Sequence, residues 1–376
     1  MEQFQFNFTD ILRLSRKAFS VRRIGIHLIG ILFAYMVYEF LFYLSIYIAD
    51  GNNIKDYWNS HGLLPVSPFS NGEFNPLIST TLWICLTLFA FIFYFSSTMA
   101  SKITIEQLRG DEYYSAGDSF KFLQQHWKTV IGSFLGLLLI LALIFMIPIT
   151  VALLGKVPII GKSFLLVSSF FLPLAFILGL LIAYTTAVVI SGLFLVPSVI
   201  STTNADSFET IYQLFAVLWN QPWRFIGYGL LLFILKLVLV PIWGIFCLTG
   251  FMAVLYPLYY LNPTFIEQSL GNANIWLGES LQILSSFFYS DVNTFLGISI
   301  SQEPILTASA TISGLLITFT VIGIVGIIIA YLFSIASVGT TVIYTIIRKR
   351  IDGLDLIETI AKVAPVEPPP LLIGEE

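Results

Sequence analysis

Two ionisable side chains of opposite sign sit deep inside apolar runs, Glu39 and Lys236. A charge at membrane depth is costly, is usually paired, and marks ion or proton pathways. Counted from Gly25 and Gly227, Glu39 lies 14 residues and Lys236 lies 9 residues into its run. At ~1.5 Å of rise per residue these depths differ by roughly 7 to 8 Å, a gap that two long side chains can close. The pattern predicts an intramembrane pair. A structural ion pair, or a snorkelling lysine with a protonated glutamate, is favoured over a transport coupling site, because the surrounding runs offer little polar lining.

Other residues with chemical potential do not assemble. Gly161-Lys162-Ser163 ends like a phosphate-binding loop, but Lys156 stands where that motif needs glycine. His27, His61 and His126 fall at different depths or in different segments, so no shared metal site is expected. Cys85 and Cys247 both lie in apolar runs, which argues for small core residues and against a disulfide framework. Neither a cofactor nor a catalytic constellation is expected, and a non-enzymatic protein is favoured.

The setting of these residues is membrane. Apolar residues make up 57% of the chain and charged residues 11%, against about 45–50% and 25% in soluble domains. The mean hydropathy is +0.89. A formal charge of -4 gives no reason to expect a nucleic-acid partner. Spanning a core about 30 Å thick takes about 20 apolar residues per helix. Six runs qualify: 24–49, 77–100, 130–154, 164–200, 225–261 and 312–347. Several exceed one span, with Pro173, Pro197, Pro241 and Pro257 placed to absorb the excess by kinks or a turn. Six spans are expected, with eight as the alternative.

The runs are organised as a threefold repeat. Asp10, Asp118 and Asp206 each open an aromatic and charged stretch that leads through Ile24-Gly25, Ile131-Gly132 or Ile226-Gly227 into an apolar run. Each acid reads as a helix cap. Each unit reads as an amphipathic surface helix, an elbow at the glycine, and a hairpin of two spans. Trp127, Trp219 and Trp223 read as interfacial anchors. Arg13, Arg16, Lys17 and Arg23 supply the first helix with a basic face suited to anionic headgroups. The expected fold is therefore an all-α integral membrane bundle of six helices in three elbow-plus-hairpin repeats.

Fourteen of the 18 Lys and Arg residues flank the ends of the runs on one side. That bias predicts cytoplasmic termini, and no cleaved signal peptide is expected, because the first apolar run starts late and is too long for an h-region. The organisation expected is a surface helix over 1–23, a first span pair over 24–100, and a second surface helix and span pair over 101–200. A third set follows over 201–350, with an outer segment at 262–311 and short helices near 263–270 and 275–289. Residues 351–376 form a Pro-rich tail. Pro368, Pro369 and Pro370 hold it extended, and Leu371, Leu372 and Ile373 offer an apolar docking patch.

The stretch from Val196-Pro197 through Asp206-Ser207-Phe208 to Pro222-Trp223-Arg224, together with Val342-Ile343-Tyr344 and Ile351-Asp352-Gly353, resembles a group of uncharacterised bacterial multi-pass membrane proteins, including planctomycete-type members. The resemblance implies a bacterial inner membrane and no particular activity. The lipid bilayer and protein subunits are the expected partners. A scaffold or accessory subunit is favoured over a transporter using Glu39 and Lys236, and over a lipid-acting enzyme.

Overall fold

The computed structural model describes residues 5–13, 18–51, 54–63, 75–158, 161–277 and 307–358. Within them the chain is all-α, with helices α1 (Phe8–Leu12), α2 (Val21–Asp50), α3 (Ile54–His61), α4 (Pro76–Leu108), α5 (Ala116–Leu154), α6 (Gly161–Ser169), α7 (Leu172–Thr203), α8 (Ser207–Asn220), α9 (Pro222–Leu261), α10 (Pro263–Leu277) and α11 (Ala308–Asp352). Six of these, α2, α4, α5, α7, α9 and α11, are long and apolar enough to cross a membrane. The molecule is a membrane protein built as an all-α bundle of six spans.

Proline sets several of the starts. It is the first residue of α4, α9 and α10 and lies in the first turn of α7. There its missing N–H leaves no bond unmade and its fixed φ suits the helix. Pro173 thereby splits the fourth apolar run into α6 and α7. In the fifth run, by contrast, Pro241 and Pro257 stay inside one 40-residue helix, α9. The excess length of the runs is thus carried mostly as continuous helix. The 45 residues of α11 rise roughly 68 Å, about twice the hydrocarbon thickness.

This overturns the elbows. Gly25 lies inside α2, Gly132 inside α5 and Gly227 inside α9. The third surface stretch forms a separate amphipathic helix, α8, parted from α9 at Gln221. The second surface stretch runs unbroken from Ala116 into its span. In the first, α1 stops at Leu12, and residues 14–17 lie outside the described set. Glycine permits a turn but does not impose one, and a helix already satisfies every backbone group. A substitution separates the two readings. Nothing lies within 4 Å of a Cβ added at Gly25 or Gly227. Replacing either by alanine should therefore stabilise the protein by about 0.5–1 kcal/mol, since mid-helix glycine costs that much. A loss of stability in thermal melts of Gly25→Ala and Gly227→Ala would restore the elbow.

The chain divides into two compact units. The first comprises 1–23, 97–235 and 334–376, and the second 24–96 and 236–333. The first unit is held by α5, α7, α8 and the segments of α4 and α11 that belong to it. Leu137, Val130, Leu195, Val199, Ile200 and Leu214 form part of its apolar interior. Glycines bring its helices close. A Cβ at Gly132 or Gly136 of α5 would meet Ser207 Oγ at 2.8 Å or Ile211 Cδ1 at 2.7 Å, so α8 lies along that Gly-x-x-x-Gly surface. Hydroxyls join the helices. Ser201 donates to the Thr98 carbonyl at 2.9 Å, Ser198 to Thr340 at 2.8 Å, and Tyr184 to the Phe215 carbonyl at 2.9 Å. In an apolar medium such donors need a protein acceptor, which makes them interhelical ties.

The second unit packs Phe42 and Ile46 of α2 against Ile78 and Leu82 of α4, with Tyr38, Ile54 and Tyr57 around them. Its helix α10 extends through the first predicted outer helix and ends at Leu277. Residues 278–306, which hold the rest of the second, lie outside the described set. Leu255, Ile266 and Leu270 join α9 to α10. The Leu63 amide also donates to the Trp276 carbonyl at 3.0 Å, and the Trp58 and Trp276 rings meet edge to face at 5.7 Å.

Candidate functional site

A buried grouping of charge lies where α4 meets the end of α7, in the first unit. Lys102, Glu106 and Arg109 follow one another at spacings of four and three residues, which places them on one side of the chain as α4 closes. Lys102 Nζ lies 2.8 Å and Arg109 Nη1 2.9 Å from Glu106 Oε1, and only 8% of either cation's side chain is exposed. These charges serve the helix end beside them. The last carbonyls of α7 have no intrahelical donor and carry the negative end of the helix dipole. Lys102 reaches the Ser201 carbonyl at 3.5 Å, and Arg109 reaches that of Thr202 at 2.9 Å.

Asn204 closes α7 in the left-handed conformation, with φ 53°. Its Oδ1 takes a further bond from Lys102 at 3.4 Å. Arg109 Nε donates at 3.1 Å to the Leu356 carbonyl, tying in the chain beyond α11. Lys102 also stands 4.5 Å over the Phe122 ring of α5. Nearby, buried Arg23 donates to the Gln107 side chain.

A second polar chain runs from Glu209 Oε1, which accepts from Gln213 Nε2 at 2.7 Å, to the fully buried Tyr344, whose hydroxyl donates to Gln213. Outside the spans, burial pushes the Tyr114 phenol up to about 12, aided by Glu106, Asp118 and Asp111, so it remains a neutral group. The arrangement is chemically a lock: its donors and acceptors are committed to one another and to helix ends. Sequence reasoning counted Lys102 and Arg109 among the orienting cations and passed over Glu106. The signal available was the Lys-x-x-x-Glu-x-x-Arg spacing.

The sequence-predicted residues are distributed as follows. Glu39 and Lys236 do not pair: among the described residues no ion pair within 4 Å includes either. Both Glu39 oxygens are buried without a hydrogen-bond partner. Length along the chain fixed their depths but not the direction each helix turns its side chain. Asp206 is the N-cap of α8, accepting from the Glu209 amide at 2.8 Å. Asp10 and Asp118 are not caps. Asn7 caps α1 and Ser115 caps α5, and each Asp is the third helical residue reaching back, to the Asn7 amide at 3.1 Å and to the Ser115 hydroxyl at 2.6 Å. A carboxylate suits that position as well as the cap itself, because the helix dipole favours it throughout the first turn.

Trp127 is half exposed, while Trp219 and Trp223 are largely exposed. Trp219 meets Tyr184 edge-on at 5.7 Å. Leu371, Leu372 and Ile373 lie outside the described residues. His27 is buried, with Nδ1 3.0 Å from Ser96 Oγ, between the Phe93 and Phe333 rings. Among the described residues no group of three or more His, Cys, Asp or Glu is placed to hold a metal ion.

The N-terminal arm docks on the end of α11. Lys349 Nζ lies 3.4 Å over the Phe6 ring and 2.7 Å from Asp355 Oδ2. Partial burial works to raise the Asp355 carboxyl, but the Lys349 bond and the amides of Ile357 and Glu358 outweigh it and hold the group below its ordinary value. A carboxylate depressed in the folded state contributes stability above its unfolded pKa and loses it as pH falls through the folded one. Docking of the arm should therefore persist at neutral pH and weaken only in acid, well below pH ~4. Amide exchange at residues 6–13 measures this, and Asp355→Asn should bring neutral-pH exchange up toward the acid value.

Comparison with protein-family models, with curated proteins and with solved structures finds no match, so the reading of this chain rests on its own residues.

Proposed function

We propose that the chain is a non-enzymatic scaffold or accessory subunit of a larger assembly in a bacterial inner membrane, with both termini in the cytoplasm. The observation that carries this reading is a contrast within the molecule. The buried charges of the first unit are committed to internal helix ends, while α5 and α9 bury the smallest share of their apolar stretches. Leu139 and Leu143 of α5, and Phe233 and Leu237 of α9, are all more than half exposed. Lipid can cover such faces, and so can the helices of another subunit, because packing and shape rather than hydrophobicity decide between them in a bilayer.

The bias of Lys and Arg supports cytoplasmic termini. The exposed row of Phe208, Tyr212 and Trp219 on α8 supports contact with the headgroup layer, with Trp223 at the start of α9 and the half-exposed Trp127 as further anchors. The tail, through Leu371, Leu372 and Ile373, is proposed as a docking peptide for a neighbouring subunit.

The test is photo-crosslinking in native membranes from positions 139, 143, 233 and 237. Protein adducts of one recurring mass, lost on detergent dissociation of the complex, support the scaffold. Adducts to lipid alone at all four positions overturn it. A transporter would have to rely on Glu39 without Lys236. A lipid-acting enzyme would require polar groups at a membrane face that are not already bound to one another.

A further inference from the structure

Glu39 stands apart from the other acids among the described residues. On α2 it is flanked at i−4 and i+4 by Tyr35 and Tyr43, so the three side chains form one row. Both carboxyl oxygens are buried and, among the described residues, accept no hydrogen bond. Tyr35 stands within hydrogen-bonding range of the carboxyl without the alignment of a full bond, and Tyr43 interacts with it electrostatically, yet both hydroxyls donate elsewhere. Tyr35 donates at 2.6 Å to the Leu63 carbonyl, and Tyr43 donates to the Gly62 carbonyl. Gly62 adopts φ 54° as it ends α3, and this conformation sets the backbone that receives the two phenols.

Among the described residues the surroundings offer no compensating cation. Tyr57 and Trp58 of α3 pack near the row, and Trp276 of α10 backs Trp58. Lys55 and Asp56 are exposed on α3, and Lys236 makes no ion pair within reach. An ionised carboxylate in such a place would lack the bonds that could offset its lost hydration, whereas the neutral acid needs far less.

We propose that Glu39 is a proton-binding site coupled to the loop at Gly62 and Leu63: the carboxyl carries a proton while Tyr35 and Tyr43 hold the loop carbonyls. Release of the loop frees both phenols. They can then turn to the carboxylate and stabilise it, so that the proton leaves as the loop undocks. The site takes a proton and not a metal ion, since the described residues supply one carboxyl and two phenols whose hydrogens already point at carbonyls. The inference goes beyond the scaffold reading and does not depend on it.

Dicyclohexylcarbodiimide tests the site on the full chain in proteoliposomes. A protonated carboxyl transfers its hydrogen to one carbodiimide nitrogen while its oxygen bonds to the central carbon. The resulting O-acylisourea rearranges to an N-acylurea that retains the whole reagent, so the peptide gains the reagent's mass. The peptide containing Glu39 should be labelled at mildly acidic and neutral pH, with about tenfold less adduct for each pH unit once the acid ionises. Tyr35→Phe with Tyr43→Phe removes the groups that would receive the anion, so labelling should persist to higher pH. Glu39→Gln should abolish the adduct. Should that variant fail to accumulate, the pH profile of the wild-type peptide decides alone. No adduct at any pH, an adduct whose yield ignores pH, or protection by sodium or potassium at fixed pH would each overturn the assignment, the last by replacing the proton with a cation.

Discussion

Glu106→Gln should be among the most damaging single substitutions in the chain, lowering stability by about 3–5 kcal/mol, the range observed when one member of a buried ion group is removed. The substitution keeps the shape and removes the charge that Lys102 and Arg109 share. Those two cations have 8% of their side chains exposed and cannot recover the loss by turning to water. The carbonyls of Ser201 and Thr202 remain as acceptors, but a dipole does not replace a full counter-charge. The double change Lys102→Met with Glu106→Gln should cost less than Glu106→Gln alone, because one stranded cation leaves with its partner and Arg109 keeps two carbonyl acceptors. Reversible unfolding in mixed micelles, read on the first unit, gives both values. If the single variant unfolds within about 0.5 kcal/mol of wild type, where ordinary surface substitutions fall, the group is hydrated and is not a lock.

Gly314→Val should separate α10 from α11 within the second unit. A Cβ at Gly314 would stand 2.8 Å from Asn272 Cβ and 2.9 Å from both the Ala273 nitrogen and the Ser269 carbonyl oxygen. Two of those atoms are backbone, so no rotamer change relieves the contact. The neighbouring Thr318 hydroxyl, which donates to the Ala273 carbonyl at 3.3 Å, would lose its reach as α10 moves. Overpacking of this kind costs roughly 1–3 kcal/mol, occasionally more. The position also reports on itself. Asn272 is 4% exposed, so Asn272→Cys should resist a water-soluble thiol reagent in the parent and react readily once Gly314→Val is added. Equal protection in both backgrounds would mean that α10 is not seated on Gly314.

Gly314 shows glycine permitting the close approach of two helices. In the sequence, Gly25, Gly132 and Gly227 share an Ile-Gly context and invite one explanation. In the structure they part company. Gly132 receives Ser207, whereas Gly25 and Gly227 face open space in this chain. A close approach is a property of two segments, and the residue on the far side is absent from any local pattern.

Membrane spans were legible in composition, with six expected and eight as the alternative, and six are found among the described residues. Hydrocarbon cannot hydrogen-bond a bare backbone, and each crossing therefore demands a long apolar helix that composition reveals directly. Pro76, Pro222 and Pro263 open helices by a rule that is equally local, because a first-turn proline leaves no bond unmade. Tertiary structure alone decided what the charges do. Lys102 and Arg109 meet carbonyls 99 and 93 residues away, and those acceptors exist only because α7 ends beside α4. Glu39 and Lys236 lay at depths that two long side chains could bridge, yet pairing also needs matching azimuth, and the azimuth of Glu39 depends on the packing of Phe42, Ile46, Ile78 and Leu82 around α2. Depth in a membrane is nearly one-dimensional and can be counted along the chain, whereas the direction a side chain faces depends on every helix packed against it.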